Sequence, residues 1–394
     1  VKKNLLFVMN NLQCGGAEKS LLSLLQTMDY SRYNVDLYLF KHEGIFFNKL
    51  PKAVNVLEMP YLYRYFDMSI NRAVIDCIKK GRFKLAFSRL RAGYIFFTEK
   101  NPARREQRAW KYVSKSMPVL QKEYDAAIGF LEKNPVYFGI EKVKADKKLG
   151  FIHNDYDKLQ MDSVIDSHYF EQLDHLITVS DICGEVLEQR FPQFKHKVKI
   201  IENIVSPSLI HTMSLEASDL FNVKNTFRIL SIGRLNDQKG FDMAIDACKR
   251  LVESGYAVNW FIIGEGENRS CLEQQIEQNQ LQTHFHLLGL KENPYPYLRE
   301  ADIYVQPSRF EGKSIAIDEA KILNKPIILT NFSTAKDQII HNHNGLIVDM
   351  TAEAIFEGIE RLIVDVSLRS ALSKQLSSEI LGTETEIEKL YALL

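Results

Sequence analysis

Short runs of apolar and β-branched residues recur along the chain and alternate with stretches in which leucine, isoleucine and alanine return every three or four positions. A run of the first kind suits a strand buried on both faces of a parallel sheet, and a stretch of the second kind suits an amphipathic helix packed on that sheet. Residues 5–9 read as a strand, 10–16 as a loop, and 17–25 as a helix that turns Leu21, Leu22, Leu24 and Leu25 toward a core. Further strands are expected at 35–40, 126–129, 149–152, 176–179 and 198–201. A second series opens with a strand at 228–232, a glycine-bounded loop at 233–240 and a helix from Phe241. It continues with strands at 258–263, 285–288, 303–306, 327–329 and 346–348. The alternation predicts an α/β protein of two doubly wound, Rossmann-like domains facing each other across a cleft. The polar stretch 206–224 is expected to be the linker, which divides the chain into an N-terminal domain at 1–205 and a C-terminal domain at 206–375. A final helix within 376–394 is expected to pack back on the first domain.

Composition agrees with two cores. The chain has 394 residues, 45% of them hydrophobic and 25% charged, which excludes a disordered chain and suits two domains of ordinary size. The apolar run after Lys2 and Lys3 stops at Asn10, too short for a secretion signal, and no run is long enough to span a bilayer. The five cysteines, Cys14, Cys77, Cys183, Cys248 and Cys271, are scattered and odd in number, which argues against a disulfide framework or a zinc site. A cytoplasmic chain, peripheral on the inner face of the cell membrane, is the expectation.

Net charge is zero, from 50 basic and 50 acidic residues, but it is unevenly spread. Residues 61–115 hold fourteen Lys and Arg against four Asp and Glu, so this segment carries a surplus of ten positive charges and the remainder an equal negative surplus. Aromatic residues are interleaved with those cations, as in helices that lie in a membrane interface. The segment is expected to be a helical insertion in the first domain that docks on an anionic membrane surface; nothing points to a nucleic-acid partner.

Candidate chemistry lies where strands hand over to helices. Gly15 and Gly16 precede a helix whose free amides and dipole favour an anion, although the spacing is not that of a dinucleotide fingerprint. In the loop 233–240, Arg234 and Lys239 present a planar fork and a point charge at a strand end, a pair suited to a diphosphate. In the stretch 308–320, Glu311 follows a strand and Glu319 sits one turn into the next helix; carboxylates accept hydrogen bonds from vicinal hydroxyls, so one can hold a sugar and the other a ribose. His341 and His343 have no third ligand nearby and read as surface residues, so no metal site is expected.

These motifs together resemble those of the retaining nucleotide-sugar glycosyltransferases of family 4, which have the GT-B fold. The resemblance rests on Gly15, Gly16, Ala17 and Glu18; on Ile152, His153 and Asn154; on Val179, Ser180 and Asn203; and on Gly233, Arg234 and Lys239. Its remaining members are Gly264, Glu265 and Gly266, Gly289, and the pair Glu311 and Glu319. It implies that Arg234 and Lys239 hold the donor diphosphate, Glu319 the ribose and Glu311 the transferred sugar, with Gly289 and Leu290 on the base through backbone contacts. His153 would reach the donor sugar, and domain closure would bring His153 and Gly16 to it. Amides at the start of the helix at Ser314 and Ile315 would meet phosphate. Many family members carry an aromatic residue and a glycine where this chain has Lys313 and Ser314; Lys313 would add a phosphate contact, and the Glu-Gly-Lys-Ser form resembles enzymes of bacterial capsule, O-antigen and other surface polysaccharides.

The function implied is metal-independent, retaining hexosyl transfer from a nucleotide diphosphate donor, a UDP-sugar, to a growing surface glycan whose acceptor is polyprenyl-diphosphate-linked. No resident cofactor is implied. The alternatives are a sugar-nucleotide epimerase or a glycan phosphorylase of the same fold, or a sugar-nucleotide-binding partner subunit without turnover.

Overall fold

A computed structural model of the chain describes residues 2–13, 15–217 and 226–394. They form two compact units, one comprising Val1–Gln13, Ala17–Glu202 and Glu386–Leu394, the other chiefly Asn203–Thr385.

In the first unit the strands are β1 (Lys3–Met9), β2 (Tyr33–Leu39), β3 (Val54–Val56), β4 (Glu123–Gly129), β5 (Lys144–Ile152), β6 (His175–Thr178) and β7 (Val198–Ile200). They make one parallel sheet in the order β3-β2-β1-β4-β5-β6-β7. Every expected strand is present, and β3, Val54–Val56, is an addition that the apolar pattern did not show. The second unit repeats the plan with β8 (Phe227–Ile232), β9 (Val258–Ile263), β10 (Phe285–Leu287), β11 (Ile303–Gln306), β12 (Ile327–Thr330) and β13 (Leu346–Val348), ordered β10-β9-β8-β11-β12-β13. Strand order therefore reverses between β1 and β4 in one unit and between β8 and β11 in the other. Loops leaving the carboxyl ends of such a strand pair diverge to opposite faces of the sheet and open a crevice for a ligand. The two Rossmann-like units make a fold of the GT-B type.

The helix after β1, α1 (Gly16–Thr27), buries Leu21, Leu22, Leu24 and Leu25 as its spacing requires. Between β3 and β4 lie α2 (Arg64–Asp67), α3 (Ile70–Lys79), α4 (Phe83–Thr98) and α5 (Pro102–Val113). Tyr65, Ala73, Cys77, Leu85 and Ala86 form a small core of their own, and Ala92, Ala109 and Trp110 tie α4 and α5 into the main core of the unit. The last helix, Glu386–Leu393, belongs to the first unit: Tyr391 stacks on Tyr33 at 4.9 Å, and the carbonyls of Leu393 and Leu394 accept from Lys147 and Lys3 at 2.8 and 2.7 Å.

The expectation of a linker at 206–224 is corrected in part: Pro207–Ser214 is a helix that buries Ile210 against the second unit's core, because proline at the helix start and a spaced apolar residue outweigh the polar composition. Residues 218–224 of that expectation, and Cys14, lie outside the described residues. Cys77, Cys183 and Cys248 are buried free thiols and Cys271 is exposed. Among the described residues no helix is long and apolar enough to cross a membrane.

Candidate functional site

The crevice between β8 and β11 brings together the two motifs that the sequence separates by some seventy positions. Leaving β8, the loop is held from below: the Gly233 N–H donates to the Ile263 carbonyl at 3.0 Å, and that of Leu235 to Glu265 at 3.0 Å. The turn closes when the Asn236 side chain accepts from the Lys239 N–H at 3.3 Å. Gly240 then takes φ +65, and a Cβ on it would lie 2.0 Å from the Pro307 carbonyl oxygen, so the approach of the two loops requires glycine. Arg309 donates from its backbone to Gln238 at 2.7 Å and pairs its guanidinium with both oxygens of Asp242 at 2.9 and 2.6 Å, which fastens the loop after β11 to the loop after β8.

This stapling aims Lys239 at Glu311. The Lys239 ammonium lies 2.5 Å from Glu311 Oε1, and the same oxygen accepts from Ser308 Oγ at 2.6 Å and Gln306 Nε2 at 3.0 Å. Glu311 is buried, and a carboxylate in that position is sustained by the ion pair and the two further donors. Thr334 fixes the strand end by donating to the Glu311 carbonyl at 3.1 Å. Arg234, on the same loop as Lys239, differs: it is exposed and has no ion-pair partner among the described residues.

Glu319 sits in the helix Ile315–Ile322, almost wholly buried, and accepts from Tyr295 Oη at 3.0 Å. Burial, together with the negative charges of Glu311 and Glu319, raises the Tyr304 phenol well above its ordinary range, so it stays protonated and donates to Gln306 Oε1. Gln338 spans the start of the helix, accepting from the Ser314 N–H at 3.0 Å and donating to the Ser314 carbonyl at 2.9 Å. The Ser314 amide is thus already used within the protein, and the Ile317 and Asp318 amides donate to the Ser314 carbonyl, which leaves those of Ile315 and Ala316 as the helix-start donors among the described residues. Lys313 is half-buried, and its carbonyl accepts from Asn203 at 3.3 Å. Gly289 takes φ +71 beside the Glu265 carboxylate and accepts at its carbonyl from the Gly264 N–H at 3.0 Å; Leu290 follows it, half-buried. Arg269 grips Glu265 with both ends of its fork, at 2.7 and 2.9 Å, and holds its pKa below the usual carboxylate value.

In the first unit, His153 ends β5 and is buried between Phe151 and Phe130, at ring separations of 5.6 and 5.0 Å. Its backbone N–H donates to Glu132 at 3.1 Å, and the neighbouring Asn154 side chain donates to the other oxygen of Glu132 at 3.0 Å. Burial depresses the His153 pKa despite the opposing charge of Glu132, and its Nε2 is buried without a partner among the described residues. Gly16 stands at the first turn of α1, and beyond its chain neighbours and its own helix no atom of the described residues lies within 4 Å of where a Cβ would project. His341 and His343 are exposed, and His341 Nδ1 accepts from the Ile347 N–H at 2.9 Å.

Sequence reasoning missed the uncharged members, Gln306, Gln238, Gln338, Thr334 and Tyr295, and one charged residue of the first unit, Glu132. Amides and hydroxyls carry no motif. One signal was available, a glutamine closing the otherwise apolar strand Ile303–Gln306, since a polar group at a buried strand end needs a partner.

Known proteins resemble this chain in sequence and in fold. Residues 216–377 match the family model described as "Glycosyl transferases group 1". The chain is 35% identical over 126 residues to the amylovoran biosynthesis glycosyltransferase AmsK of Erwinia amylovora, covering 30% of this chain and 31% of that protein. It is 28% identical over 223 residues to the N-acetylgalactosamine-N,N'-diacetylbacillosaminyl-diphospho-undecaprenol 4-alpha-N-acetylgalactosaminyltransferase of Campylobacter jejuni, covering 56% of this chain and 59% of that one. The matches thus span less than two thirds of either relative. HepE of Anabaena, solved with UDP and glucose, superposes with a TM-score of 0.72 at 15% identity, covering 99% of this chain and 98% of HepE. The protein has a GT-B-type fold and is related to glycosyltransferases of bacterial surface-polysaccharide biosynthesis.

Proposed function

We propose that the protein is a retaining glycosyltransferase that moves a sugar from a UDP-sugar to a lipid-linked surface glycan without a metal ion. The observation that carries this reading is the crevice between β8 and β11, where Lys239 meets the buried Glu311 while Arg234 on the same loop has no ion-pair partner among the described residues. Lys239 uses one of its three N–H donors on Glu311, which leaves two for diphosphate oxygens, and Arg234 offers a complete fork. Glu319 is assigned to the ribose, Glu311 to the transferred sugar, and the backbone at Gly289 and Leu290 to the base. Lys313 and the Ile315 amide are assigned to phosphate. His153, neutral and with its Nε2 unpaired among the described residues, is the first unit's candidate for a hydroxyl of the donor sugar, and Gly16 the point where a substrate can approach backbone closely.

Transfer in this reading is a matter of position and charge. The acceptor hydroxyl bonds to the anomeric carbon on the face from which the diphosphate departs, the carbon–oxygen bond to phosphate breaks, its electron pair leaves with UDP, and the hydroxyl proton passes to the departing phosphate oxygen. Arg234 and Lys239 offset the charge growing there. HepE's complex with UDP and glucose supports a uridine donor, and the diphospho-undecaprenol in the name of the C. jejuni relative supports a lipid-linked acceptor.

The test is a panel of nucleotide sugars scored by calorimetry and by donor turnover in excess chelator. Tight binding of UDP-sugars with turnover in chelator is expected. No binding of any nucleotide sugar, or strict dependence on added manganese, would overturn the reading.

A further inference from the structure

The helix α4 has two faces that sequence pattern alone does not separate. Inward, Leu85, Ala86, Ala92 and Gly93 are buried, and Arg89 spans the gap to the preceding turn, donating to the carbonyls of Tyr65 and Met68 at 2.8 and 2.7 Å. Outward, Phe83, Phe87, Leu90, Tyr94 and Phe97 are all exposed, Phe97 by 91% and Phe83 by 65%. Their spacing, in steps of four, three, four and three, places them in one stripe about 20 Å long on the outer side of the helix. Five large apolar side chains in a row, held in water by a well-packed inner face, mark a surface that meets something.

The charges around the stripe say what. All four acids of the segment 61–115 are already neutralised: Asp67 by Lys41 at 2.6 Å, Asp76 by Lys80 at 2.8 Å, Glu99 by Arg108 at 2.5 Å and Glu106 by Lys133 at 2.8 Å. Exposed Arg72, Lys79, Lys84 and Lys100 have no carboxylate partner among the described residues. Lys84 and Arg91, each one position beyond a stripe residue and seven apart, line the same flank of it. A second copy docked symmetrically through the same face would bring a like-charged surface to meet this one. An anionic bilayer offers hydrocarbon for the aromatics and phosphate for the cations.

We propose that the outer face of α4 lies in the headgroup region of an anionic membrane, with Phe83, Phe87, Leu90, Tyr94 and Phe97 inserted and Lys84 and Arg91, with the neighbouring Lys79, on the phosphates. This surface stands on its own observations and does not depend on the transfer reaction. The probes are vesicles of phosphatidylcholine alone and of phosphatidylcholine with phosphatidylglycerol, with the full chain and without donor or acceptor. The chain is expected to sediment with the anionic vesicles at low salt and to be released at high salt. Replacing Lys84 with Ala should weaken partitioning about fivefold, and joint Phe87→Ser and Phe97→Ser exchange should abolish it; all three side chains face solvent, so the melting temperature and UDP binding should be unchanged. A Phe97→Trp variant should show quenching by brominated lipid. Equal recovery with neutral and anionic vesicles, unaltered binding by the variants, or self-association without lipid that the same variants abolish would overturn the proposal. None of these outcomes would touch donor binding.

Discussion

Leaving β1 and leaving β8, the chain solves the same problem, a glycine-containing turn from a strand into a helix beside the point where strand order reverses, and it solves it in opposite ways. After β8, Gly240 is pressed against backbone, where a Cβ would fall 2.0 Å from the Pro307 oxygen, and after the neighbouring β9 Gly264 and Gly266 press on the β8 loop itself, 1.8 Å from the Gly233 oxygen and 2.3 Å from that of Leu235. After β1, Gly16 faces open space. The strand across the reversal differs likewise. Glu132 beyond β4 spends both oxygens on the end of β5, whereas Glu311 beyond β11 reaches back across the crevice to Lys239. Glycine in one loop is therefore an architectural requirement and in the other an opening, and only the second unit builds a charged crevice from the plan.

The largest effect that would break this contrast is catalytic. Arg234→Ala should lower turnover by about a hundredfold or more, since removing a donor aimed at developing charge costs about 3 kcal/mol, yet leave thermal stability unchanged because Arg234 is exposed and unpaired with any described carboxylate. Lys239→Ala should cost similar turnover and also lower stability, by about 1–2 kcal/mol, by stripping a buried carboxylate of its cation. Equal melting temperatures for the two variants would show that the ion pair does not support the fold.

Next come the glycines. Gly240→Ala should destabilise by about 3 kcal/mol in urea unfolding, from a left-handed backbone and a clash that neither loop can relieve. Gly16→Ala should change stability by no more than about 0.5 kcal/mol while lowering turnover about tenfold through displaced substrate. A stable Gly240→Ala protein would erase the distinction.

A smaller effect separates the two glutamates. Titration with UDP should show Glu319→Ala weakening binding by about 1 kcal/mol, the worth of a lost hydrogen bond, and Glu311→Ala leaving it nearly intact while impairing transfer. The reverse ranking would exchange their assignments.

The smallest effect belongs to the first unit. His153 is held neutral by burial, below the ordinary histidine value of 6.5, so the unfolded chain takes up a proton there that the folded chain refuses. This contribution to stability is whole above pH 6.5 and declines as the pH falls from there toward the folded value. His153→Gln should flatten that decline in unfolding curves taken across this window; an unchanged slope would mean that another group sets it.

The alternation of apolar runs and spaced helices is enough to place every strand but β3, because burial on two faces demands apolar residues at fixed spacing, and Arg234, Lys239, Glu311 and Glu319 stand out by type where strands hand over to helices. What it could not show is contact between distant positions. That Lys239 rests on Glu311, that Gln338 takes the Ser314 amide and that Glu132 anchors the backbone of His153 follow from which strand lies beside which. The same holds for α4, whose five outward residues are indistinguishable in sequence from a core-facing stripe. Only the packing of Leu85, Ala86, Ala92 and Gly93 on the other side decides which face meets solvent, because a helix has no inside until its neighbours are in place.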